Sequence, residues 1–244
     1  MKQELFTIRD NRPLNGRYAR LVLAGDSSGI STPGQFVELS LPGFFLRRPF
    51  SVCDWDAQSL TLVYESVGKG TRALRELPVG TELDLLTGLG KGFDLSRAGA
   101  EPLLIGGGSG VSPLLGLARR LLEAGARPHV ILGFNSADEI ILLEDFHELG
   151  LSPGVTTTDG SFGIRGFVTE AMTQPHSFFY TCGPEAMMRA VAEKSAAGGQ
   201  LSFDARMGCG FGACMGCTVK TQNGLKRICK DGPVIAREEV LWEI

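Results

Sequence analysis

The rhythm of apolar and polar positions changes twice along this chain. Over residues 1–97 the apolar residues come in short runs. Arg17–Leu23 alternates in character, and Phe36–Leu41, Pro49–Trp55 and Leu60–Tyr64 follow, separated by Pro/Gly and Asp/Gln turn signals. Short strands at such spacing predict a small antiparallel β-barrel. One short helix is expected at Thr71–Glu76, just after a glycine loop.

Over residues 98–197 the pattern becomes strand, glycine loop, helix. Leu103–Ile105 is apolar and runs into Gly106-Gly-Gly-Ser-Gly110. Ser112-Pro113 then opens an amphipathic helix reaching Ala124; Pro suits a first helical turn and Gly125 suits the stop. His129–Phe134, Val155–Thr158 and Phe178–Cys182 read as further buried strands, and Gly183-Pro184 starts a helix through about Lys194. Strands alternating with helices predict a doubly wound α/β domain with a parallel sheet. Residues 198–244 form a third, small C-terminal module without a clear period. No internal repeat, low-complexity tract or long charge run is visible.

That module carries the most specific chemistry. Cys209, Cys214, Cys217 and Cys229 are spaced C-x4-C-x2-C-x11-C. Four thiolates serve a [2Fe–2S] cluster, two on each iron, and this order is the plant-type ferredoxin spacing. Gly208, Gly210, Gly212 and Gly216 allow a tight backbone that points N–H groups at sulfur. The alternative is a zinc-binding interaction module. Structural zinc more often uses two C-x2-C knuckles or a Cys/His mixture, and no His lies nearby.

Composition narrows the class. The chain has 244 residues, 43% hydrophobic and 21% charged, which is globular. A net charge of −3 argues against non-specific nucleic-acid binding. Met1–Phe6 has no apolar h-region, so no signal peptide is expected, and no apolar run approaches the ~20 residues of a membrane helix. Six cysteines without a secretion signal fit a reducing cytoplasm.

Two further segments read as ligand sites. Arg48-Pro49-Phe50-Ser51 starts a strand, and Gly68-Lys69-Gly70-Thr71 opens the short helix. An Arg with N–H groups at a glycine-rich helix start can clamp a flavin dinucleotide's pyrophosphate. Each segment taken singly also reads as a solvated Arg and an ordinary turn. The second is Gly106, Gly107, Gly108 and Gly110 ahead of Ser112-Pro113. Strand before and helix after suit a nicotinamide dinucleotide. Thr181-Cys182-Gly183-Pro184 ends another strand before a helix; by residue type alone Cys182 reads as a small buried hydrophobe. A 2′-phosphate usually needs a cation at the end of the second strand. That position reads Phe134-Asn135-Ser136-Ala137-Asp138, without a base, which favours NAD over NADP. Cys53 reads as core. His129, His147 and His176 sit singly and read as structural or surface.

In this order the motifs resemble the ferredoxin–NADP reductase superfamily. Its R-x-[YF]-[ST] motif matches Arg48, Phe50 and Ser51. The resemblance puts Arg48 on the FAD pyrophosphate, Ser51 near the isoalloxazine, the phosphate loop on Gly70 and Thr71, and Val63, Tyr64 and Glu65 on the adenine and ribose side. Similar reductases carry C-G-P with the Cys near nicotinamide C4, which corresponds to Cys182. With M-G-C-G-F-G-A-C-M-G-C and C-K-D-G-P-V, the whole chain resembles the electron transfer subunits of class B dihydroorotate dehydrogenases. The resemblance implies a role in pyrimidine biosynthesis. It also implies an FMN-containing dihydroorotate dehydrogenase catalytic subunit as partner, in a two-plus-two heterotetramer. Electrons would pass from that partner through [2Fe–2S] and FAD to NAD. Close relatives oxidise NAD(P)H for ferredoxin- or sulfur-linked reductases, and the same motifs would serve there.

Overall fold

The structure is a computed structural model and describes residues 1–242, so Glu243 and Ile244 of the C-terminal module lie outside the described residues. The first layer is a closed barrel of six antiparallel strands. These are β1 (Lys2–Pro13), β2 (Tyr18–Ala24), β3 (Phe36–Leu39), β4 (Arg48–Trp55), β5 (Ser59–Glu65) and β6 (Glu82–Leu89), in the order β1-β2-β5-β4-β3-β6. Alternation drives it: along β6, Leu83, Leu85, Thr87 and Leu89 point inward while their neighbours do not. Phe6, Ile8, Leu21, Leu23, Leu60 and Leu62 are fully buried in its core. Helix α1 (Lys69–Arg75) follows β5 and begins two residues earlier than the sequence suggests.

The second layer is a seven-stranded sheet. Its elements run β7 (Leu103–Gly107), α2 (Ser112–Glu123), β8 (His129–Phe134), α3 (Leu143–Glu148), β9 (Gly154–Thr157), β10 (Ile164–Arg165), α4 (Val168–Ala171), β11 (Phe179–Cys182), α5 (Glu185–Lys194) and β12 (Gly199–Ser202). The C-terminal module adds a hairpin, β13 (Thr218–Thr221) and β14 (Gly224–Arg227), then α6 (Ile228–Asp231) and β15 (Val234–Ala236). Sheet order is β10-β9-β8-β7-β11-β12-β15, parallel except that β15 pairs antiparallel with β12. The chain thus returns from the cysteine loop to close one edge of the nucleotide sheet.

From β7 the chain winds outward to β8, β9 and β10, then crosses back to β11 on the other side of β7. This reversal is a topological switch point, and ligands of such sheets bind beyond the carboxyl ends of the strands there. The barrel and sheet meet along α2 and β4. Gly116 of α2 presses on the Cys53 carbonyl, where a β-carbon would come within 2.6 Å. Arg119 bonds Asp54 at 2.8 Å, Arg120 lies 4.5 Å over the Trp55 ring, and Arg20 pairs with Asp145 at 2.5 Å. The C-terminal module packs Cys217, Ile228, Cys229 and Ile235 against Phe36 and Leu89 of the barrel. Among the described residues no helix is long and apolar enough to cross a membrane.

Candidate functional site

The barrel splits where the flavin motif lies. The β4–β5 ladder registers Trp55↔Leu60, Asp54↔Thr61 and Val52↔Leu62 and goes no further. Beyond it, Arg48–Ser51 pairs only with β3, and Val63–Glu65 only with β2. The two segments that the resemblance assigns to FAD therefore face each other across an opening seam. Among the described residues, the β4-facing backbone edge of Val63, Tyr64 and Glu65 has no strand partner there. The side chains of Val63 and Tyr64 are buried, and Tyr64 meets Phe50 edge-on at 5.7 Å. What these residues offer a ligand is backbone.

Arg47 and Arg48 differ in kind. Arg47 is bound to Asp84 through its carboxylate at 2.8 Å and its carbonyl at 2.9 Å. Arg48 has no carboxylate partner among the described residues. It donates to the Leu46 carbonyl at 2.5 Å, lies 5.2 Å over the Phe44 ring and rests against Gly70. Its charge is free for an anion. Thr71 Oγ1 accepts from the backbone N–H groups of Val67 and Gly68, both at 3.1 Å, and so shapes the turn entering α1.

At the switch point the two glycine motifs interlock. Cys182 is in register with Gly106 across β11 and β7. A β-carbon on Gly110 would stand 2.3 Å from the Cys182 carbonyl, so only glycine admits this approach. Gly108 has φ +55°, and Gly183 (φ +151°) lies against the Gly107 backbone. The loop feeds α2, whose first turn carries Pro113 and whose N-terminus is positive in sign. Burial pushes the half-buried Cys182 thiol up to about 12; a hydrogen bond with Ser202 opposes this and the charge of Asp204 adds to it. Cys182 is thus a neutral thiol near pH 7.

The end of β8 contains a feature that the linear sequence hides. Asn135 Nδ2 donates to Glu139 at 2.8 Å, and Arg17 of the barrel reaches Glu139 at 2.7 Å and Glu65 at 2.5 Å. A cation does stand near this strand end, but two carboxylates neutralise it.

The four C-terminal thiols come together as two pairs, Cys209 with Cys214 and Cys217 with Cys229. Among the described residues no three His, Cys, Asp or Glu side chains converge on a single point. A pairwise arrangement of thiols suits a cluster with two ligands per iron. Backbone groups already point at sulfur: Ala213 and Cys214 N–H donate to Cys209 Sγ at 3.2 and 3.4 Å, and Cys229 N–H to Cys217 Sγ at 3.4 Å. Burial pushes the Cys209 thiol up, but the N–H groups of Cys214, Phe211 and Ala213 outweigh it and hold the thiol at about 6. Gly210 (φ +76°) and Gly212 (φ +93°) supply left-handed turns, and Arg227 ties the Gly212 carbonyl to Asp231. The donor set fits the group.

Sequence reasoning missed Glu38 of β3. It is 1% exposed, and its carboxyl lies against Gly210. Burial pushes it up to about 7, with Arg47 opposing, Cys209 adding and Arg48 opposing. Its only signal was one acid in the apolar run Phe36-Val-Glu-Leu39. Cys53 is fully buried, and burial pushes its thiol up to about 12. His176 is not single: it meets Ser195 Oγ at 2.8 Å. That pair stands before β11, at the sheet end opposite the glycine loops.

Comparison with known proteins agrees with this architecture. Residues 204–241 match the family model for the iron–sulfur cluster binding domain of dihydroorotate dehydrogenase B, and residues 104–193 match the oxidoreductase NAD-binding domain. The dihydroorotate dehydrogenase B (NAD(+)) electron transfer subunit of Shouchella clausii is 41% identical over 237 residues, covering 91% of either chain. The protein of the same name from Fusobacterium nucleatum is 34% identical over 98% of this chain and 99% of its own. Among solved structures, a chain of an NADH-dependent reduced ferredoxin–NADP oxidoreductase superposes with a TM-score of 0.88 at 28% identity, over 97% of this chain and 90% of that one. A ferredoxin NADP+ reductase from Neisseria gonorrhoeae shares the fold, with a TM-score of 0.68 at 17% identity over 79% of this chain and 90% of its own. With full-length relatives above a third identical and both domain models in chain order, the protein belongs to the family of electron transfer subunits of NAD-dependent dihydroorotate dehydrogenase B.

Proposed function

We propose that this chain passes electrons from an FMN-containing dihydroorotate dehydrogenase catalytic subunit through a [2Fe–2S] cluster and FAD to NAD, in pyrimidine biosynthesis. The observation that carries the reading is the presence, in one chain, of three sites: the split barrel seam, the glycine interlock at the switch point and the paired cysteines. FAD exchanges electrons singly or in pairs, which links a one-electron cluster to a two-electron nicotinamide.

The chain's own residues bind and orient. Arg48 holds the flavin pyrophosphate, with Gly70 and Thr71 at the start of α1. Pro49, Phe50 and Ser51 border the ring, and Val63, Tyr64 and Glu65 offer backbone to the adenine side. Gly106, Gly107, Gly108 and Gly110 clear space for the NAD pyrophosphate at the N-terminus of α2. Cys182 places a small neutral thiol beside the nicotinamide. Cys209, Cys214, Cys217 and Cys229 would hold the cluster, two thiolates to each iron. The three functional units follow as 1–97, 98–197 and 198–244.

The partner docks over the cluster loop, framed by Arg206–Gly208 and Lys230–Pro233, in a two-plus-two heterotetramer. Exposed Phe211 and Met215 on that loop suit an apolar contact. Six free cysteines suit a reducing cytoplasm. A ferredoxin-linked reductase subunit is the second reading, favoured by the close superposition on such an enzyme. The higher identity of the dihydroorotate dehydrogenase relatives ranks it below the first.

Affinity purification of the tagged chain from its native cells, followed by mass spectrometry, tests the assignment. An FMN-containing dihydroorotate dehydrogenase subunit should co-purify, and NAD-linked dihydroorotate oxidation should need both chains. If the single chain catalyses that oxidation, or the partner performs it equally well without this chain, the reading fails.

A further inference from the structure

Glu38 is the one acid in a strand whose four residues are all buried. Its Oε1 is shielded from solvent and has no hydrogen-bond partner among the described residues. Buried polar atoms are rarely left so, and each one calls for an explanation. The surroundings of this one supply it. On the barrel side, Glu38 is in register with Pro49, and its neighbour Leu39 with Arg48, so it sits directly beside the flavin clamp. On the other side its carboxyl fills the space over Gly210: a β-carbon there would stand 2.5 Å from Glu38 Cγ and Oε1. Gly210 follows the first cysteine of the cluster loop and turns the chain at φ +76°. Arg47 is the strongest charge acting on this carboxyl, followed by Cys209 and Arg48.

One side chain therefore spans from the flavin strand pair to the cluster loop. We propose that Glu38 is a positioning residue for the cluster: its carboxyl is the floor on which the Cys209–Gly210 turn is seated, and it fixes that turn relative to the strand bearing Arg48. The inference rests on the reading of Cys209 as a cluster ligand. Glu38 acts through the loop, by its packing against Gly210. Outer-shell partners that hold metal ligands are typically worth about 10–100-fold in metal affinity, which sets the upper scale for a packing contact on the ligand loop.

The test uses the full chain with its cofactors, as wild type, Glu38→Ala, Glu38→Asp and Glu38→Gln. Iron, sulfide and FAD are assayed, the reduced cluster's EPR spectrum is recorded, and cluster loss to a chelator is timed. Glu38→Ala is expected to keep FAD, change the EPR line shape and lose the cluster about 10–100-fold faster. Glu38→Asp keeps the charge but draws the carboxyl away from Gly210, so it should share the defect. Glu38→Gln keeps the volume packed over Gly210, so it should approach wild type. If Glu38→Ala does not fold, the Asp and Gln variants decide. Wild-type spectra and chelation rates in Glu38→Asp, or a defect in Glu38→Gln as large as in Glu38→Asp, would overturn the proposal. Wild-type chain free of iron and sulfide would instead sink the underlying cluster reading.

Discussion

The guanidinium of Arg48 rests on the bare α-carbon of Gly70: a β-carbon at that position would stand 2.9 Å from Arg48 Nε. The strand that starts the flavin motif and the helix that follows it are thereby held in contact. The space that glycine leaves is where the Arg48 side chain passes.

This contact makes two substitutions comparable. Arg48→Ala removes a charge-assisted contact with the pyrophosphate worth roughly 1.5–3 kcal/mol in all, so FAD should bind about ten- to a hundredfold more weakly. Arg48→Lys should rescue poorly, since an ammonium cannot make the bidentate fork. Gly70→Ala has no positive φ to strain and should weaken FAD by displacing Arg48 alone. Fluorescence titration of deflavinated protein measures all three. Full FAD retention in Arg48→Ala counts against the site.

Gly110→Ala places a methyl group 2.3 Å from a backbone oxygen that cannot rotate away. Overpacking of this kind costs about 1–3 kcal/mol. The β7 loop should separate from β11, KM for NADH should rise, and Tm should fall modestly. Cluster and FAD content should be unchanged. Steady-state kinetics with an artificial acceptor decide; an unaltered KM argues that NAD does not use this loop.

NADH should reduce bound FAD clearly faster than NADPH at equal concentration. Arg17, close to the end of β8, does not alter that expectation while Glu65 and Glu139 both hold it. Glu139→Gln removes one of these charges and leaves Arg17 partly uncompensated. Its NADPH to NADH ratio should rise in stopped-flow reduction. Equal use of both cofactors by the wild type would sink the charge argument.

Much of this was legible because strands and motifs are local. The strands at 129–134 and 179–182 and the helix from Ser112 follow from short runs and their punctuation. β1 is harder to read: it is largely polar, buries only Phe6 and Ile8, and has a register shift between Ile8 and Asp10 that breaks the alternation. β12 and β15 have four and three residues, too few for a period, and exist as strands through sheet pairing, β12 between β11 and β15 and β15 on β12. The site divides in the same way. Cysteine spacing and glycine loops are written in consecutive residues. Arg17 on Glu139, 122 positions away, and Glu38 under Gly210 arise only from closure of the barrel and return of the tail.

Cys182 and Cys53 should resist alkylation in the folded chain. Burial pushes both thiols up to about 12, so at pH 8 only about one in ten thousand is thiolate. The sign of the linkage follows. Between pH 9 and 12 the folded chain holds protons that the unfolded chain has released, so stability is full below pH 9 and falls as pH rises toward 12. Iodoacetamide labelling read by mass spectrometry should therefore rise together with unfolding. Rapid labelling of Cys182 at pH 8 in folded protein would mean that the thiol is activated.

The last prediction concerns which thiols hold iron. Cys209, Cys214, Cys217 and Cys229 lie in one loop system as two pairs, while Cys53 is sealed in the core and Cys182 stands on the nucleotide sheet. Six single Cys→Ser variants separate these roles. A serine hydroxyl is a poor ligand for iron, so each of the four tail variants should lose iron and sulfide, and with them the brown colour. Cys53→Ser puts a more polar hydroxyl in a fully buried site beside Ser112, which costs stability and lowers Tm, yet the folded fraction should carry a full cluster. Cys182→Ser should also keep its iron and change only the reaction with NADH. Iron per folded chain is the deciding quantity, with FAD content as the control for folding. If Cys53→Ser or Cys182→Ser strips iron as completely as Cys214→Ser, the ligand set is misassigned and the tail is not a self-contained cluster module.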